Sequence, residues 1–153
     1  SSIKAITKMV IAKSKNADMK DKDKELADKH LRLFLLMNQW VKIKQDGKRF
    51  DDYFCKQGYK NIAIYGMSYV GVTLLNELKG SLVSVKYGID QNADTADIDI
   101  EVHRPSDKLD SVDAVIVTPI FYFDQVKEQL QKKINCPIIS INQVLDDMEK
   151  GEY

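Results

Sequence analysis

Nowhere in this chain do apolar residues run for the roughly 18 positions that a membrane-spanning helix requires, so no membrane span is expected. A charged-then-apolar leader with a small-residue cleavage site is not visible either. Cysteine is scarce: Cys55 and Cys136 stand alone, which suggests neither a disulfide framework nor a metal site, and a reducing, cytoplasmic setting is the default expectation. Net charge is zero, but it is unevenly placed. Residues 1–60 hold 15 Lys/Arg against 8 Asp/Glu, and residues 61–153 hold 8 against 15. The basic excess reads as the wet face of a helix and a solvated terminus. Basic residues do not interleave with aromatics in any recognised nucleic-acid motif, so nucleic acid is not an expected partner. The opening Ser1-Ser2, without Met, is what a processed chain or a piece of a longer polypeptide would carry.

Signatures of catalysis are missing in the same way. The Tyr-x-x-x-Lys pair of short-chain sugar-nucleotide dehydrogenases and epimerases is not found. Four residues after Tyr53, Tyr65, Tyr69, Tyr87 and Tyr122 stand Gln57, Tyr69, Thr73, Gln91 and Val126. There is no P-loop Gly-Lys-Ser/Thr and no nucleophile elbow. Catalytic residues are therefore left unassigned, and binding is the chemistry to look for.

What the chain does have is concentrated in residues 61–90. Asn61-Ile62-Ala63-Ile64-Tyr65 reads as a buried strand, Gly66-Met67-Ser68-Tyr69-Val70-Gly71 as a glycine turn, Val72 to Lys79 as a helix and Val83 to Asp90 as a second strand. This is the order of a dinucleotide-binding βαβ unit, whose turn amides and helix dipole attract phosphate. Gly66 and Gly71 occupy the first and third positions of G-x-G-x-x-G, where a tight turn and a close helix-strand contact are needed, while Ser68 takes the second. Asp90 follows Gly66 by 24 residues, near the offset expected for the acid that grips a ribose 2′-hydroxyl. Its followers, Gln91 and Asn92, offer no cation, so NAD or another unphosphorylated ribose is favoured over NADP. Asp90 is accordingly expected to choose the ligand rather than to support the fold.

The flanks complete an α/β reading. Residues 13–24 look polar and loose. From Glu25 an amphipathic helix is expected to end near Gly47, with Leu26, Leu33, Phe34, Met37, Trp40, Val41 and Ile43 as its stripe and Leu31, Leu35 and Leu36 pointing away from it. His30 and Trp40 read as packing residues. A helix apolar on two sides predicts a homodimer through this region, or docking onto another domain. A short helix through Phe50, Tyr53 and Phe54 leads by Gly58 into the first strand. Asp97 to His103 alternates strictly and predicts a half-exposed strand, whose acids read as edge protection rather than as a metal site. Ala114 to Thr118 is a fully apolar strand ending at Pro119. Asp124 to Lys133 is the next helix, Pro137 to Ile141 the last strand, and Asn142 the expected cap of a helix through Met148. The fold class is thus α/β, Rossmann-like, with a mostly parallel sheet of about five strands; residues 1–58 form an N-terminal helical extension and 59–153 the nucleotide-binding domain. Ligands of such sheets bind beyond the carboxyl ends of the strands, where Gly66, Asp90, Thr118 and Pro119 all fall. The candidate site is Gly66, Met67, Ser68, Tyr69, Val70, Gly71, Asp90, Gln91, Thr118 and Pro119.

Trp40, Gly47 and Tyr53-Phe54, the run Ile62 to Met67, Gly71, Glu77-Leu78, Tyr87-Gly88-Ile89-Asp90 and the run Val112 to Thr118 together resemble small Rossmann-like proteins of bacterial capsule and exopolysaccharide clusters. The likeness covers roughly residues 25–148. More distantly, Ile62 to Ser140 is similar to the nucleotide-binding front domains of polysaccharide-biosynthesis dehydratases and sugar acetyltransferases. The capsule and exopolysaccharide proteins occur alone or appended to glycosyltransferases, and the resemblance implies a nucleotide or nucleotide-sugar binding module serving such an enzyme. Ser68 departs from the glycine common at its position. An NAD-dependent oxidoreductase or epimerase half, and an oligomerising domain that has lost its ligand, stand as the alternatives.

Overall fold

The computed structural model describes residues 2–94, 98–151 and 153. The chain divides into two compact units, Ser1–Val41 and Lys42–Tyr153. Its first element is one long helix, α1 (Ser2–Gln45), so the loose stretch expected at 13–24 is helical instead. The reason lies in composition: no Gly or Pro occurs before Gly47, and Ala, Lys, Met and Leu are strong helix formers. Two ion pairs with the acid on the N-terminal side, Glu25 to Lys29 at 3.7 Å and Asp28 to Arg32 at 3.3 Å, add a few tenths of a kcal/mol each. The stripe also needs correcting. Leu36, Trp40 and Ile43 are the buried residues of α1 and Leu33 is half-buried, whereas Leu26, Phe34, Val41 and His30 are exposed. Of the three leucines read as pointing away from the stripe, Leu31 and Leu35 are exposed on the single chain and Leu36 is buried.

The second unit is a five-stranded sheet in the order β3-β2-β1-β4-β5, with every neighbouring pair parallel. Its elements are α2 (Phe50–Lys56), β1 (Asn61–Tyr65), α3 (Tyr69–Leu78), β2 (Ser84–Ile89), β3 (Val102–His103), β4 (Ala114–Val117), α4 (Phe123–Gln131), β5 (Ile138–Ser140) and α5 (Ile141–Lys150). This is a Rossmann-like α/β fold. The central strands β1 and β4 are apolar and buried because helices and loops cover both faces of the sheet. Ala63 and Tyr65 share one face with Tyr87, Ile89, Val115 and Val117, and pack with Val126 and Leu130 of α4. Ile62 and Ile64 alternate to the opposite face.

Three sequence expectations shift. The strand over 97–103 shrinks to Val102–His103, since only these residues pair, with Gly88 and Ile89 at the top of β2. Of its alternating acids, Asp97 lies outside the described residues, and Asp99 and Glu101 are exposed outside the strand. Helix α3 starts at Tyr69, three residues earlier than the glycine spacing suggests, because Ser68 is already its N-cap residue and accepts the Val72 N–H at 2.9 Å. Ser140, not Asn142, caps α5: its hydroxyl accepts the Gln143 N–H at 3.1 Å, and Gly151 closes the helix in a left-handed conformation at φ 68°.

Candidate functional site

Strand order reverses between β1 and β4: the chain moves from β1 to β2 on one side and later returns to β4 on the other. Two crossovers leaving in opposite directions part their loops at the carboxyl ends of these strands, which opens a crevice there. The turn after β1 is built to be tight. Gly66 has φ 91°, and a Cβ added to it would sit 2.5 Å from the Pro119 ring and 2.7 Å from Thr118 Oγ1. Gly71 lies in the first turn of α3, and a Cβ there would run into the Gly66 carbonyl oxygen. The glycine pattern therefore marks real contacts at both positions, with the helix laid directly on the turn.

The remaining groups around the turn hold it. Gly66 N–H donates to the Ile89 carbonyl at 2.8 Å. Thr118 is buried, and its hydroxyl lies within hydrogen-bond distance of the Tyr65 and Gly66 carbonyl oxygens, at 3.0 and 2.7 Å. Asp90 accepts the Met67 N–H on Oδ2 at 2.8 Å and the Asn92 N–H on Oδ1 at 2.9 Å. This revises the expectation for Asp90. Its carboxylate braces the first amide after Gly66, so it supports the turn as well as facing the crevice. Each oxygen keeps a further acceptor position beyond its backbone partner.

Beside the turn is a cleft of about 400 Å³, lined by Tyr65, Gly66, Asp90, Gln91, Pro119, Tyr122, Gln125, Val126 and Gln129. Four of the ten sequence-derived site residues, Gly66, Asp90, Gln91 and Pro119, meet in it. The other six do not line it. Met67 and Val70 are buried, as are Gly71 and Thr118, while Ser68 and Tyr69 are exposed at the start of α3. Ser68 makes no side-chain cap bond to its helix. The Tyr65 hydroxyl is pushed above its ordinary pKa by burial, while a hydrogen bond with Gln91 pulls the other way. Tyr65 thus stays a neutral phenol at physiological pH.

Five lining residues were not anticipated from sequence: Tyr65, Tyr122, Gln125, Val126 and Gln129. Their signal was present in spacing. Positions 125, 126 and 129 form one face of α4, Tyr122 is its N-cap residue, and α4 is the helix that follows the strand on the far side of the switch point. A scan against family models and searches of curated proteins and of solved structures return no match to this chain. Among the described residues, no group of three or more His, Cys, Asp or Glu side chains is placed to hold a metal ion.

Proposed function

We propose that this chain is a nucleotide or nucleotide-sugar binding module of bacterial surface-polysaccharide biosynthesis, working with a glycosyltransferase. The observation that carries the binding reading is the cleft at the β1/β4 switch point, with Asp90 on its wall and the glycine turn beside it. Exposed Ser68 and Tyr69 place the start of α3 at the surface, where backbone N–H groups and the helix dipole favour a phosphate. The biosynthetic setting rests on the resemblance of residues 25–148 to capsule and exopolysaccharide proteins. Thermal denaturation with NAD and with UDP-sugars tests the binding reading. A ligand at one hundred times its Kd stabilises the folded state by about 2.7 kcal/mol, so a rise in Tm is expected. No rise with any of these ligands at millimolar concentration would reject it.

The module is further proposed to self-associate through α1. Leu26, Leu31, Phe34 and Leu35 are 53, 55, 67 and 51% exposed, an apolar surface that a second copy would remove from water. A self-complementary patch closes as a two-fold dimer. Light scattering at tens of micromolar is expected to give twice the monomer mass. A monomeric mass there would reject the dimer and leave a glycosyltransferase domain as the partner of this helix.

A further inference from the structure

The cleft's lining has a pronounced chemical bias. Of its nine residues none is Lys or Arg, and the only formal charge is the carboxylate of Asp90. Polar capacity comes instead from three carboxamides, Gln91, Gln125 and Gln129, each with two N–H donors and a carbonyl acceptor. Gln125 and Gln129 stand one turn apart on α4 and are solvent-exposed, so both heads can reorient to meet a ligand. Tyr65, Tyr122 and Pro119 supply ring surface beside them.

A phosphate or carboxylate placed in this cleft would lose water, meet no cation and approach Asp90, so it is disfavoured twice. An uncharged, hydroxyl-bearing ring has the opposite balance. Its faces lie on aromatic surface, and its hydroxyls pair with amides and with the carboxylate. The volume of about 400 Å³ is at the lower end of the range for small-molecule sites, large enough for one such ring with its substituents.

We infer that the cleft receives the uncharged ring of a nucleotide ligand and rejects ligands that bring a second acidic group there, with Gln125 and Gln129 as the specificity-determining pair. This rests on the nucleotide-binding reading above and narrows it. The ligand class is neutral nucleotide-sugars as opposed to nucleotide-uronates, added to the preference for an unphosphorylated ribose that Asp90 already carries.

Matched ligand pairs test this by calorimetry: UDP-glucose against UDP-glucuronate, and NAD against NADP. Within whichever pair binds, the neutral member is expected to be tighter by at least about tenfold. Asp90→Asn removes the charge and keeps an acceptor for only one of the Met67 and Asn92 N–H groups, so its Tm is measured alongside; in the folded variant that gap is expected to shrink. The double variant Gln125→Ala, Gln129→Ala folds, since both positions are exposed and Ala is the better helix former. It is expected to weaken the neutral member by about tenfold and the acidic member by less. Equal affinities within the pair, or an unchanged double variant, would overturn the inference while leaving nucleotide binding standing. Binding of none of the four ligands would overturn both.

Discussion

At the scale of single residues, the glycine fingerprint separates into positions that the fold needs and a position that it does not. Gly71 is needed because its α-carbon lies against the Gly66 carbonyl; even one methyl there forces helix and turn apart. Gly71→Ala is therefore expected to cost about 2–3 kcal/mol through overpacking, without any ligand present. For a domain of this size that lowers Tm by roughly 5–10 °C. An unchanged Tm would mean that α3 slides off the turn at no cost. Ser68, by contrast, is exposed and sits at the N-cap, so its side chain crowds nothing in the protein. Both kinds of position carry the same motif letter, and only the neighbouring atoms tell them apart. Asp90 makes the same point from the polar side. Its offset from Gly66 is the one expected of a ribose acid, yet its two amide partners, Met67 and Asn92, follow from how the loops close and not from any spacing.

Elements were legible where their period was strong and their surroundings simple. Strand β1 falls on Asn61–Tyr65 as the apolar run indicates, and β4 and α4 fall within two residues of their expected bounds, because each is punctuated by Gly, Pro or a change of period. Residues 98–101 failed for a physical reason: alternation reports which side chains face water, but a strand also needs a partner, and β2 supplies one only for Val102 and His103. The buried side of α1 failed for another, since an apolar residue on a helix does not declare which face is covered; Leu36 and Phe34 look alike in sequence and differ wholly in exposure. The cleft residues on α4 were hidden by a similar ambiguity, because Gln125 and Gln129 read as ordinary surface glutamines until the strand order places α4 beside the switch point. At the start of α5, Ser140 outcompeted Asn142 because it is the residue whose extended backbone, at φ −75° and ψ 148°, lets its hydroxyl reach forward to the Gln143 N–H. Ser140→Ala is expected to destabilise the fold by about 1 kcal/mol, and Asn142→Ala by much less. Equal urea midpoints for the two variants would refute the assignment of the cap.

For the molecule as a whole, stability at high pH is expected to be governed by tyrosines buried in separate parts of the second unit. Tyr87 packs on the α4 face of the sheet with its hydroxyl donating to the Asp110 carbonyl, and burial pushes its pKa up to about 12. Tyr65 is raised by burial on the same face. Tyr53, on α2, is raised by burial and by its hydrogen bond to Asp147 of α5 at 2.8 Å. Each raised value means that the folded state holds the phenol proton more tightly than the unfolded chain, whose tyrosines titrate near 10. The sign follows from linkage: the stabilisation is fully present below about pH 10, and it is lost as pH rises from there through the folded values, for Tyr87 about 12. Urea midpoints should therefore hold level between pH 8 and 9.5 and fall steeply above pH 10. Lysines titrate in the same window, so the Tyr87→Phe variant is the control that isolates the effect. It loses the bond to Asp110 and starts less stable at pH 8, but it should fall less steeply than the parent protein above pH 10, and the two curves should converge. Parallel curves across pH 8 to 12 would show that Tyr87 ionises as easily in the folded protein as in the unfolded chain, and that its burial does not govern the alkaline limit.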